Sequence, residues 1–259
     1  MTNHLASRRR LLHQLLRHLG AVPLAAALPA RAAPGAAAQA ALRMAVLDQM
    51  PWAGRDTHGR ATGVVVDMAQ LLASASGLAI DTSALPYARA ATMLAHGQVD
   101  LMLAFDTGAL AGLPPPLETI GSEDIIIVGR RGSNYHALDD LCGRTVGHLR
   151  RATFFPAFAN AGCLLRYEVN SYEQGLRMLA VGRIDAMLGV RSTIDYAVAQ
   201  ARIDAGSLGT PLVLAQAGLA LYAAPQLVAP AQLARLRNAC ALLRRQRRLP
   251  ELLAQHQHL

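Results

Sequence analysis

The sequence predicts an α/β fold arranged as two similar lobes, and three observations carry that reading. A short phrase occurs twice, Gly97-Gln98-Val99-Asp100-Leu101-Met102-Leu103 and Gly182-Arg183-Ile184-Asp185-Ala186-Met187-Leu188. Each copy follows an amphipathic run, Arg89–His96 or Glu173–Val181, and each turns into a short apolar stretch. That is the pattern of a helix, a glycine just past its end where the backbone turns left-handed, then a buried parallel strand. Finally, strand-length apolar runs alternate with amphipathic helical runs along most of the chain, as in sheets built from crossover helices. Two copies of one unit point to two Rossmann-like α/β lobes rather than one continuous sheet. The loop chemistry of any α/β protein is the plainer reading of the same repeat. Two lobes imply a cleft, the usual place for a binding site.

Taken in order, the first strand is Leu42–Leu47, followed by a turn-rich stretch from Asp48 to Asp56. After Gly59 and Gly63 comes a helix over Val66–Ser76, ended by Gly77, and a strand at Leu78–Thr82. Leu85-Pro86-Tyr87 opens a helix that runs to His96, because proline suits a first turn. The first repeat strand follows. Pro114-Pro115-Pro116 marks Gly108–Gly121 as a linker, and Ile125–Gly129 is a buried strand making the first crossing between lobes. The second lobe opens at Leu138–Gly143. It continues through a strand at Arg144–Leu149, a helix near Phe154–Ala161, a strand at Leu164–Val169 and the second repeat unit. A helix at Thr193–Ala201 precedes Pro211–Ala215, which leads into a return strand at Leu219–Ala223. An amphipathic helix over Ala231–Arg248 closes the chain. Lobe 1 is thus residues 41–128 with 216–259, and lobe 2 is 129–215, joined by a two-strand hinge near Val128 and Ala215.

Residues 1–32 read as an export signal rather than fold. Ser7-Arg8-Arg9-Arg10 opens a basic region without acids, an Ala/Leu-rich segment follows, and Ala30-Arg31-Ala32 is a small-x-small cleavage pattern. Ala38-Gln39-Ala40 offers a second site, so cleavage can fall as late as residue 40. The twin arginine is compatible with a Tat leader, and a Sec leader fits equally. Pro23 and Pro29 interrupt the apolar segment, and no other run reaches spanning length, so the mature form is expected to be periplasmic and not membrane-spanning.

The leader also explains much of the charge. All 25 basic residues are arginine, five of them within 1–32, which leaves 20 against 17 acids, a net +3. Six more arginines crowd the last helix (Arg235, Arg237, Arg244, Arg245, Arg247, Arg248). They read as a solvated helix face, and no nucleic-acid partner is expected. Three cysteines suit an oxidising compartment. Cys142 and Cys163 each lie just before a strand. If those strands are parallel neighbours, both sulfurs reach one sheet edge and can form a disulfide. Cys240 is left over as a buried thiol.

Over about Leu42 to Gln255 the chain resembles the bacterial extracytoplasmic solute-binding proteins of family 3, two-lobed periplasmic binding proteins of type II. The matching stretches run in family order. They are Leu42–Leu47 with Pro51-Trp52, Gly59–Gly63 leading to Val66-Asp67-Met68-Ala69, Leu85–Ala90, Gly97–Asp100, Leu138–Val146 and Gly182–Gly189. The resemblance implies hinge closure on a small solute between the lobes. The expected partner is the membrane permease of an ABC transporter, with the binding protein acting as a monomer.

Ligand chemistry departs from the ordinary members. Thr107 matches their hydroxyl position, but their carboxylate-binding arginine falls near Gly112, and no arginine occurs between Arg89 and Arg130. Their ammonium-binding aspartate is Val190 here. In their place stand Trp52, where the resemblance puts an aromatic against the ligand and packing is an equal alternative, and Tyr87 and Arg89 at a helix start. Arg150 and Thr153 match second-lobe contacts in type. That strand-to-helix segment favours an anion, with Arg151 at a usual glycine position. Arg191 lies beside Val190, and Asp106 is the acid at the first lobe's edge. Summing these charges, the expected solute is small and polar and bears a negative group.

Two other functions remain open. Periplasmic dehydratases of prephenate-like substrates resemble this fold, but Asp48, Asp106 and Glu123 make no recognisable acid pair. No Gly-x-Ser-x-Gly, His-Glu-x-x-His, Cys-x-x-Cys or phosphate loop occurs, so no metal, cofactor or covalent chemistry is expected. A sensory or accessory binding protein is the third reading.

Overall fold

The computed structural model describes residues 40–106, 113–150, 156–224 and 226–256, without the side chains of Tyr87 and Ala88. The export-signal reading lies outside the described residues. The first half supplies β1 (Leu42–Leu47), a small hairpin of β2 (Gly54–Arg55) and β3 (Ala61–Thr62), α1 (Val64–Ser76), β4 (Ile80–Leu85), α2 (Tyr87–Ala95) and β5 (Leu101–Asp106). A long strand, β6 (Glu118–Gly129), leads to the second half. There follow β7 (Thr145–Leu149), α3 (Pro156–Asn160), β8 (Leu165–Val169), α4 (Tyr172–Ala180), β9 (Ala186–Val190) and α5 (Arg191–Gln200). The chain returns through β10 (Leu212–Ala223) and ends with α6 (Pro230–Arg245) and α7 (Arg248–His256).

The repeated phrase does the same mechanical work in each half. Gly97 and Gly182 take φ of 68° and 74°, the left-handed conformation that lets a helix end and turn back. Three residues on, the Asp100 N–H donates to Arg43 O at 2.9 Å and its carboxylate accepts from the Arg43 N–H at 2.7 Å. Asp185 repeats this at Thr145, its N–H donating to the carbonyl and its carboxylate accepting from the N–H, both at 2.8 Å. Each aspartate therefore braces the first residues of the neighbouring strand, β1 or β7. The Asp100 carboxylate also accepts from Arg43 Nε and Nη2, at 3.1 and 2.9 Å. Burial pushes the Asp100 carboxyl up, but these hydrogen bonds and the arginine charge outweigh it and hold it below the usual range.

The strands form one eight-stranded sheet in the order β4-β1-β5-β10-β6-β9-β7-β8, which corrects the expectation of two separate sheets. The reason is the length of β6 and β10, each 12 residues, or about 40 Å of extended chain. Gly218–Ala223 of β10 pairs antiparallel with β5, while Ile125–Gly129 of β6 pairs antiparallel with β9. The two long strands pair with each other from Leu212 to Leu221 and so carry the ladder from one half to the other. Residues 118–121, expected as linker, already belong to β6.

Each half keeps its own core on both faces of the sheet. In the first, Met44, Val46, Leu101 and Leu103 pack under α1, α6 and α7, while Ala45, Met102 and Ala104 meet Ala90 and Leu94 of α2. In the second, Ile126, Val128 and Met187 pack against α4 and α5, and Ile125, Ile127 and Leu188 against Leu141 and Phe158. The alternation follows the two-residue period of a strand covered on both sides. At the crossing the cores meet, because Phe105 and Val190 each touch a core of both halves.

Three further details follow. The final helix is two helices, parted at Arg247 (φ 54°), and Pro250 sits in the first turn of α7, where its missing N–H costs nothing. Several arginines read as a solvated face reach back across the fold. Arg235 caps the end of α1 by donating to Ser76 O and Gly77 O, and Arg244 pairs with Glu118 and Thr119 O on β6. Cys142 and Cys163 form a disulfide beside the parallel β7–β8 pair, with Cα atoms 4.8 Å apart, and Cys240 is a buried thiol. Burial pushes the Cys240 thiol up to about 12.

Candidate functional site

Strand direction decides which loops meet. β5 ends at Asp106, opposite Gly218 of β10, and Gly218 faces Ser122 of β6. β9 ends at Val190, opposite Ile125 of β6. The carboxyl ends of strands from the two halves thus arrive within three residues of each other along β6. The loop after β1 joins them from the first half, and the start of α5 from the second.

Trp52 is the central side chain there. It is 4% exposed, it meets the Phe105 ring edge-on at 4.7 Å, and its indole Nε1 donates to Thr193 Oγ1 at 2.8 Å. The residues are 141 positions apart and belong to different halves. The backbone fixes the indole's base. The Trp52 N–H donates to Gln49 O, and the Pro51 and Trp52 carbonyls accept the Val64 and Val65 N–H groups that open α1. Gly63 makes this possible: its φ is 123°, and a Cβ there would stand 2.6 Å from Trp52 O.

Charged groups line the same crossing. Asp124 accepts from Arg191 Nε at 3.1 Å, lies 3.1 Å from its Nη2, and accepts from Gln216 Nε2 at 3.3 Å. Beside it, burial pushes the Glu123 carboxyl up, opposed by the neighbouring Ser192 and by the Arg191 charge. Glu123 therefore sits against the first turn of α5, where the helix dipole favours an anion. Asp195, one turn along α5, is also pushed up by burial, against the pull of Arg191.

Of the residues expected from sequence to bind the solute, Trp52, Asp106 and Arg191 stand at this crossing. Arg150 directly follows β7 and pairs with Glu168 at 3.4 Å, both side chains more than half exposed. Arg89 lines an open groove along α2 with Arg43, Thr92, Met93, Gly97 and Gln98. Arg43, Gly97 and Gln98 stand at the end of the sheet away from Trp52, where β1 begins and α2 ends, so the groove leads away from the crossing. Thr107 and Thr153, with Gly112 and Arg151, lie outside the described residues, as does the side chain of Tyr87. Sequence reasoning missed Thr193, Ser192, Asp124 and Gln216. A hydroxyl pair directly after the second repeat strand was the available signal for the first two. Among the described residues no His, Cys, Asp and Glu cluster suits a metal ion, and no helix is long and apolar enough to cross a membrane.

With this geometry in view, the fold is that of the two-lobed, type II periplasmic binding proteins. The VFT2 domain of BvgS from Bordetella pertussis superposes with a TM-score of 0.67 at 21% identity, covering 83% of this chain and 92% of that one. A histidine kinase sensor domain with similarity to periplasmic binding proteins gives 0.68 at 20% identity, over 84% and 95% of the two chains. The substrate-binding protein of an amino acid ABC transporter gives 0.64 at 16% identity, over 83% and 98%. No protein-family model matches this chain, and no curated protein matches it in sequence.

Proposed function

We propose that this chain is an extracytoplasmic solute-binding protein that takes a small polar, anion-bearing solute between its halves for the membrane permease of an ABC transporter. One observation carries the reading. Loops at the carboxyl ends of strands from both halves converge on the crossing pair β6 and β10, the only chain links between the halves in the sequence, so a solute touching both favours closure. Arg150 and Arg191 supply the positive charge from the second half. Each is held by a partly exposed carboxylate, Glu168 or Asp124. Such pairs contribute about 0–1 kcal/mol, so a solute carboxylate or phosphate can take over the arginine at small cost. A thermal-shift panel of carboxylates, phosphorylated compounds and cationic amines tests this. Stabilisation by anions alone is expected, and stabilisation by cations alone would reverse the charge assignment.

A second reading, a periplasmic sensory or accessory domain, is favoured by the direct Trp52–Thr193 bond between the halves, since a module that holds itself shut suits signalling as well as delivery. A neighbouring gene for a permease supports uptake, and one for a receptor kinase supports sensing. A dehydratase would need a general acid in the cleft, and Glu123 with its raised carboxyl is the group to test. Turnover of prephenate or arogenate, lost in Glu123→Gln, would replace the binding reading with an enzymatic one.

A further inference from the structure

We infer that the two halves are latched by the chain itself: the bond from the Trp52 indole to the Thr193 hydroxyl holds the closed form through contacts that a solute would otherwise have to supply. The inference rests on the two-lobed binding reading and specifies how that site is regulated.

Both ends of the latch are buried, Trp52 at 4% and Thr193 at 2% exposure. A buried indole N–H needs an acceptor, and the hydroxyl 2.8 Å away is the one it has. The indole is also preset. Its backbone is tied to Gln49 and to the start of α1, Gly63 leaves it room, and Phe105 supports the ring edge-on at 4.7 Å. Little conformational freedom is left to lose when the halves meet, which favours a contact that forms on closure. Thr193 is equally fixed, in the first turn of α5 directly after β9.

Opening about β6 and β10 separates residues of different halves. It would break this bond and wet the indole, whose burial removes about 150–250 Å² of surface from water. The closed form thus carries stabilisation of its own. A solute shifts the equilibrium only by what it adds, and a solute that enters at Trp52 must offer the indole N–H an acceptor in exchange. This also gives the site a selectivity: an apolar guest of the same size leaves a buried donor unpaired and is rejected.

Trp52 is the only tryptophan in the chain, so its fluorescence reads the latch without labelling. The protein is unfolded in denaturant with its disulfide intact, dialysed free of small molecules and refolded. In this solute-free state the indole is expected to be shielded from acrylamide. Thr193→Val keeps the side-chain shape but removes the hydroxyl. Loss of one buried hydrogen bond should move the open-to-closed ratio roughly tenfold toward open. Acrylamide quenching then rises several-fold and the radius of gyration from X-ray scattering increases, whereas Thr193→Ser restores both. An indole already exposed in the solute-free parent would overturn the inference, as would a folded Val variant with parental quenching and radius. If the Val variant does not fold, parental quenching decides. Solute capture is tested separately by the thermal-shift panel, so either idea can fail while the other stands.

Discussion

Asp100→Ala and Asp185→Ala make the sharpest test of what the repeated phrase is for. Asp185 accepts one backbone N–H, from Thr145, and removing its carboxylate leaves that donor unpaired at the start of β7. A hydrogen bond to a charged group contributes about 1.5–3 kcal/mol, and that is the expected loss. Asp100 accepts the equivalent Arg43 N–H and two side-chain donors besides, but the Arg43 side chain is 54% exposed, so solvent screens the ion pair and it adds little. A chain of this size loses roughly 2–4 °C in Tm per kcal/mol. Thermal unfolding at neutral pH should therefore show a drop of about 3–12 °C for Asp185→Ala and one at least as large for Asp100→Ala. The folded Asp100 carboxyl lies below its ordinary 3.8, so its contribution is complete above that pH and fades as pH falls through the lowered value. The Asp100→Ala penalty should shrink in acid accordingly. A variant at position 185 that melts with the parent, beside a damaged one at 100, would refute a shared bracing role.

Three other outcomes follow from the same structure. Replacing Cys142 and Cys163 by serine frees a loop of sequence separation 21, and chain-entropy arguments put the loss at about 3 kcal/mol, readable as a lower denaturant midpoint. Burial raises the Glu123 carboxyl above its ordinary 4.5, so its contribution is full below that value and is lost as pH climbs through the raised one. Glu123→Gln should remove that decline and gain stability over the parent at neutral pH but not at pH 4, and parallel Tm-versus-pH curves would count against it. Gly63→Ala places a Cβ 2.6 Å from Trp52 O at a φ of 123°. It should cost about 2 kcal/mol or more and red-shift Trp52 emission.

What the sequence disclosed and what it hid have physical reasons. The helix–glycine–strand units were legible because each is local: a periodic apolar face, a left-handed glycine and a buried run occupy about fifteen consecutive residues. The disulfide was legible because β7 and β8 pair in parallel, which puts the residues preceding both strands at one edge. The crossing was not. Ser122-Glu123-Asp124 interrupts the apolar pattern in the middle of β6, where the strand leaves one core and enters the other, so residues 118–121 read as linker. The single-sheet ladder depends on β10 pairing 92 residues away, as at Gln216 and Asp124. The site suffers most from this. Trp52 and Arg191, both singled out from sequence, stand at the crossing, but their partners Thr193 and Asp124 lie 141 and 67 positions away from them, and no local pattern announces either contact. Arg89, in the first turn of a helix after a strand, lines a groove that runs along α2 toward Gly97, a placement that no local pattern announces.

The central claim is that a small solute is held between the halves. It is tested most directly by isolating the protein from its own host without refolding, denaturing it, and analysing the released small molecules by mass spectrometry. The expected result is one polar, anion-bearing compound in near-stoichiometric amount, reduced when Arg191 is replaced by alanine. Release of nothing above the background of an unrelated protein isolated in the same way, together with no stabilisation by any member of the solute panel, would contradict the account.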